Sequence, residues 1–145
     1  MDDPFGLERF VAAQDIGGTY DAAVAELRAG RKRSHWMWFV FPQIAGLGLS
    51  PTSQRYALRS LDEARAYLAH PVLGPRLIEC AEIVSGLHGN RAEDIFGGID
   101  AMKLRSSMTL FAQADPANPL FRGVLDAYFT GVPDEATERL LEPAG

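Results

Sequence analysis

Two stretches of this chain concentrate side chains that can do chemistry. The first is Gly30-Arg31-Lys32-Arg33-Ser34-His35-Trp36-Met37-Trp38, where three cations and two indoles fall within nine residues. Guanidinium and ammonium groups at that density can clamp a phosphate, and an indole beside them can stack on a base or another planar ring. His35 sits between the cations and the rings, where it can move a proton near neutral pH. The same residues also read structurally, as a solvated basic turn at a helix C-terminus leading into an aromatic cluster that enters the core. On that reading His35 is a hydrogen-bonded structural residue. Just beyond, Gln43 can meet a ligand amide or merely a loop carbonyl.

The second stretch is Asp100-Ala101-Met102-Lys103-Leu104-Arg105-Ser106-Ser107-Met108-Thr109. Lys103 and Ser107 are four apart, so a helix places them on one face, where a buried lysine can activate a hydroxyl nucleophile. Asp100 is the carboxylate nearest that pair and can support an oxocarbenium-like centre if the reaction is glycosidic. With His35 it is a candidate for proton transfer. The alternative is an exposed polar face of Lys103, Ser106, Ser107 and Thr109 opposite the apolar stripe Ala101, Leu104, Met108 and Phe111. Glu63, Glu79, Glu82 and Glu93 fall at positions that caps or solvation explain. The chain has no Gly-rich phosphate loop, no Gly-x-Ser-x-Gly elbow and no His-Glu-x-x-His helix.

The elements that must position these residues can be read from composition and punctuation. At 145 residues, 47% hydrophobic and 23% charged, the chain has the size of one domain and can bury a core. The single cysteine, Cys80, cannot form an internal disulfide and lies in an apolar helical stretch. His35, His70 and His88 are far apart, and no zinc spacing occurs, so neither metal nor cofactor is expected. An acidic start, Met1-Asp2-Asp3-Pro4, is unlike a signal peptide. The apolar run 36–41 is far short of the ~20 residues that span a bilayer. A cytoplasmic, non-membrane domain over residues 1–145 is expected. The net charge of −5 disfavours a general nucleic-acid surface.

Asp3-Pro4 opens a helix to about Gln14, and Gly17-Gly18 ends it. Thr19 caps a second helix that closes at Gly30. Residues 34–42 are apolar nearly all round and read as a short buried helix or irregular turn, with a loop through Gly46 and Gly48 after them. Ser50-Pro51 starts a short helix, and the capping box Ser60-Leu61-Asp62-Glu63 starts another that ends at His70-Pro71. Leu73, Leu77, Cys80, Val84 and Leu87 mark the buried face of the next. Asn90 with Glu93 caps a turn, Asp100 caps a helix to about Ala114, and Asn118-Pro119 and Asp134 start the last two. The expected class is all-α, a compact single-domain multihelical bundle of about seven to eight short helices.

Residues 27–43, 66–77 and 103–111 together resemble a bacterial family of unknown function, domain-of-unknown-function family 1810, whose members are often labelled "calpastatin". The resemblance runs from Phe5 to Leu141 and implies a compact multihelical fold with no established reaction. The inhibitor named by that label is a disordered polar chain, whereas this composition demands a core. The layout of Asp94 to Gly131 is also similar to helical N-glycosidases that act on ADP-ribosyl or related ribose conjugates.

Two functions are therefore expected as alternatives. In one, the domain binds or hydrolyses a phosphorylated, ring-containing metabolite such as a nucleotide or ADP-ribose. Arg31, Lys32 and Arg33 then hold the phosphate, Trp36 or Trp38 stacks on the ring, and Lys103 and Ser107 approach the reacting centre. In the other, the basic-aromatic segment docks a protein partner without catalysis. Oligomeric state is left open. The first reading requires the indoles and the Lys103 face to meet across one hollow.

Overall fold

The computed structural model of the chain describes residues 3–87 and 89–142, so His88 and the outer ends of the expected 1–145 domain lie outside it. Among the described residues ten helices succeed one another: α1 Glu8–Asp15, α2 Thr19–Arg28, α3 Met37–Val40, α4 Pro51–Arg55, α5 Leu61–Ala69, α6 Leu73–Ser85, α7 Ala92–Phe96, α8 Gly98–Ala114, α9 Pro119–Phe129 and α10 Glu135–Leu141. A 3₁₀ turn, Ile16–Gly18, joins α1 to α2. The all-α expectation holds. The helices outnumber the seven or eight expected because α3, α4 and α7 are single turns of five residues or fewer. Among the described residues no strand forms, and one isolated parallel bridge, Ile44 to Leu58, ties the loop after α3 to the segment before α5.

Several starts differ from the sequence reading for local reasons. The Asp3 carboxylate does act as a cap, but it accepts from the amides of Leu7 and Glu8, so α1 begins after one preliminary turn. Thr19 is the first residue of α2 rather than its cap, because Gly17 and Gly18 both take positive φ and turn the chain directly into the helix. The Thr19 hydroxyl donates to the Ile16 carbonyl instead. In the expected capping box Ser60 accepts from the Glu63 amide, while Glu63 reaches one residue further back to the Arg59 amide. Asp94 plays the corresponding part for Arg91, replacing the expected Asn90–Glu93 pair. Asp100 sits in the first turn of α8 and does not cap it; Gly97, at φ 81°, makes the entry. Asn118 and Asp134 cap α9 and α10 as expected.

The long helix α8 organises the molecule. It packs against α5, α7, α9 and α10, while α6 lies across α2, α5 and α9, and α1 closes over α2 and α3. Residues 106–112 of α8 are buried without interruption. Its polar residues are therefore not an exposed face, which corrects that alternative. Ser106 and Thr109 return their hydroxyls to the carbonyls of Met102 and Arg105, four residues back. That local bond is how a helix interior tolerates them. Around α8 the core holds Phe10, Trp36, Phe41, Tyr67, Phe111 and Phe121, all fully buried. Each such side chain stabilises the fold by roughly 1.5–3 kcal/mol relative to exposure.

Candidate functional site: a cleft beside a carboxylate shared by two lysines

The basic-aromatic segment is held by the end of α2. The chain leaves that helix through a left-handed Gly30, whose amide donates to the Leu27 carbonyl while the Arg31 amide donates to the Glu26 carbonyl. This paired closure fixes the direction of the next residues. The Glu26 side chain then gathers the turn at 33–36 around itself. Its carboxylate accepts from the Arg33 amide at 2.6 Å, the Ser34 amide at 2.9 Å, the Ser34 hydroxyl at 2.7 Å and the Trp36 indole N–H at 3.0 Å. Burial pushes the carboxyl upward, but the donors from Arg33, Ser34 and Trp36 outweigh it and hold Glu26 down at about 2. The turn is thus organised from within by an anion.

Lys32 leaves this turn inward. Its amide donates to the Ile95 carbonyl at 2.7 Å, and its ammonium group lies 2.8 Å from Asp100 and 5.0 Å from the centre of the Trp36 ring. Lys103, one turn along α8 from Asp100, approaches the other carboxylate oxygen at 3.3 Å and lies 4.5 Å from the centre of the Trp38 ring. One carboxylate therefore serves two ammonium groups, each resting on an indole. The two stretches singled out in the sequence meet here, through Lys32, Asp100, Lys103 and Trp38.

Beside Lys103 the surface opens into a cleft of about 310 Å³. Gln43, Leu47 and Gly48 form one wall, Ile99, Met102, Lys103 and Ser106 of α8 the other, and Ser53, Asp134 and Ala136 close the ends. Gln43 is placed by the bridge to Leu58, whose amide donates to the Gln43 carbonyl at 2.9 Å. Gly48 stands so close to Ser53 that an added Cβ would meet its side chain at 2.5 Å. The walls are mainly apolar with a few polar groups, the usual make-up of a small-molecule site.

The candidate residues divide by position. Lys103 and Gln43 line the cleft, and Asp100 and Trp38 stand behind Lys103. Arg31, Arg33 and His35 are exposed on the turn and are not part of the cleft walls. Lys32 is nearly enclosed, with 7% of its side chain exposed. Trp36 is fully buried, with its N–H engaged by Glu26, so it presents no face for stacking. Ser107 is also fully buried, and its hydroxyl finds no hydrogen-bond partner among the described residues. It therefore points away from any solvent-borne ligand. Sequence reasoning missed Glu26, although an acid three residues before a closing Ala-Gly and a basic run was a visible signal. It also missed Ile99 and Met102, whose signal was being apolar yet off the buried stripe. Among the described residues no cluster of three or more His, Cys, Asp or Glu side chains is placed to hold a metal.

Comparison with solved structures finds the conserved hypothetical protein Rv1873 from Mycobacterium tuberculosis, 54% identical, with a TM-score of 0.94 over 98% of this chain and 100% of that one. No curated protein matches. A sequence profile described as a protein of unknown function (DUF1810) matches residues 4–141. The chain belongs to that family of multihelical proteins of unknown function.

Proposed function

We propose that the cleft binds a small phosphorylated metabolite with a planar ring, of the nucleotide or ADP-ribose class. The observation that carries this reading is the charge pattern behind Lys103. Two ammonium groups share the Asp100 carboxylate, so the cluster keeps an excess positive charge, and Lys103 is the member that reaches the cleft. A phosphate entering there completes the pairing of Lys103. Leu47, Ile99 and Met102 supply apolar walls for a ring, and Gln43 supplies an amide for its polar edge. Arg31 and Arg33 add positive charge outside the cleft and favour the approach of an anion.

This is a binding site first. Both oxygens of Asp100 are engaged by ammonium groups, an arrangement that orients lysines rather than one that transfers protons. Cleavage of a glycosidic bond in the cleft would instead require a carboxylate facing the ligand, and Asp134, the acid at its end, already caps α10 through one oxygen.

Calorimetric titration with ADP-ribose and AMP tests the reading. Binding at submillimolar concentration, weakened at least tenfold by Lys103→Met, is the expected result. Absence of heat at millimolar ligand removes it. A second reading, a protein-interaction face, draws on the exposure of Ile99 and Met102 (76% and 69%) at the cleft rim. It predicts no heat with either ligand, and self-association in sedimentation experiments that Ile99→Ser abolishes.

A further inference from the structure

A second concavity, unconnected with the lysine cluster, opens where α1, α4 and the start of α5 converge. It has a volume of about 420 Å³ and is lined by Pro4, Phe5, Arg9, Gln54, Arg55, Arg59, Ser60 and Glu63. In a chain whose acids outnumber its bases, three guanidinium groups face one carboxylate here. The three arginines are not equivalent. Arg9 is fully used: it donates to the carbonyls of Phe5, Gly6, Arg55 and Ala57 and pairs with Glu63 at 3.2 Å. Glu63, whose side chain is only 3% exposed, accepts in turn from the Arg59 amide at 2.8 Å. The Arg9–Glu63 pair thereby fixes the main chain at both Arg55 and Arg59. Those two side chains remain exposed, and among the described residues neither makes an ion pair or a side-chain hydrogen bond.

An ion pair with one partner almost buried, its arginine holding the Arg55 carbonyl and its glutamate the Arg59 amide, is a costly way to build a surface turn. It is a reasonable way to preorganise a two-pronged anion clamp, because the backbone ordering that binding would otherwise require has already been met. From this geometry we infer that the groove is a site for a small polyanion of the pyrophosphate type, with Arg55 and Arg59 as its two forks. Planar guanidinium groups match phosphate oxygens two at a time, which suits adjacent phosphoryl groups better than a lone carboxylate. The Ser60 hydroxyl accepts from the Glu63 amide and keeps its own proton available for a ligand oxygen. Phe5, exposed to 37%, lines the groove beside the arginines and leaves room for an organic substituent on the phosphate.

The test is an NMR titration of the whole, labelled protein with sodium pyrophosphate and with inorganic phosphate. Pyrophosphate should shift the amides of residues 54–63 with a submillimolar Kd, and phosphate should bind them at least tenfold more weakly. The double variant Arg55→Ala/Arg59→Ala should lose pyrophosphate binding at least tenfold while its spectrum stays native, because both side chains are exposed. Arg55→Lys/Arg59→Lys, which keeps the charge and removes the forks, should lose a measurable part of that affinity. Arg122→Ala, which removes an exposed arginine of α9 outside the groove, should leave the shifts of residues 54–63 unchanged. Saturation absent at 10 mM pyrophosphate overturns the assignment, as does equal binding by the double alanine variant or an equal loss in Arg122→Ala.

Discussion

Glu26 shows how much one side chain can order. Four donors converge on it, and the indole N–H of the fully buried Trp36 depends on it. Replacing Glu26 with Ala leaves that N–H and two backbone amides without a charged acceptor, at a cost of about 2 kcal/mol by analogy with other charge-assisted bonds. The sign with pH comes from the lowered carboxyl. Its contribution is complete above the ordinary value of 4.5 and is lost as pH falls through about 2. Urea unfolding at pH 7 and at steps down to pH 2 should therefore show a wild-type decline in that window which Glu26→Ala flattens. Ser107 predicts the opposite kind of outcome. Its hydroxyl is buried without a partner among the described residues, so Ser107→Ala should be neutral or stabilising by up to about 1 kcal/mol and should leave ligand binding in the cleft unchanged. A large loss of binding in that variant would restore Ser107 as a functional residue. Cys80, fully buried and pushed up to about 12 mainly by burial, should resist thiol reagents until denaturant is added.

At the scale of the element, the close approaches explain sequence features that periodicity leaves unremarked. Gly74, in the first turn of α6, faces the end of α5 so closely that an added Cβ would meet the Leu68 carbonyl oxygen at 2.1 Å. The obstacle is backbone, which cannot rotate aside, so Gly74→Ala should destabilise by about 3 kcal/mol or more and lower the melting temperature by many degrees. Helix existence was legible where caps and glycines spoke clearly, as at Ser60, Asn118, Asp134 and Gly30. Starts were less legible, because a capping carboxylate can serve amides one turn ahead, as Asp3 does for Leu7 and Glu8. The cause at Asp100 was different: a positive-φ glycine before the helix made a side-chain cap unnecessary.

For the molecule as a whole, the decisive fact hidden from the sequence is that α8 is surrounded. An amphipathic pattern suggests one buried stripe, yet α5, α7, α9 and α10 cover it on several sides. Ser106 and Thr109 tolerate that burial because they satisfy themselves locally. Lys32, Asp100, Lys103 and Trp38 pack against one another, but neither indole lines the cleft, so the two chemical stretches touch without facing each other across it, and Trp36 and Ser107 are drawn into the interior. Which of two neighbouring indoles faces inward is decided by Glu26, seven residues before Arg33, and no local spacing rule contains that contact. Overall charge adds a final expectation. Because the chain carries −5, anions must reach the cleft against the global field, so ligand affinity should depend on Lys103 more than on bulk screening. Raising salt from about 50 to about 300 mM should weaken ADP-ribose binding less than Lys103→Met does.

The indole pair also gives the protein an optical gauge of its own. The chain has two tryptophans, and they differ in surroundings: Trp36 is sealed against a carboxylate, while Trp38 is half-buried under the Lys103 ammonium. A guest that draws Lys103 toward itself lifts a cation off one emitter and leaves the other untouched. Occupancy should then be readable as a partial change in native fluorescence that Trp38→Phe erases and that Trp36 does not supply.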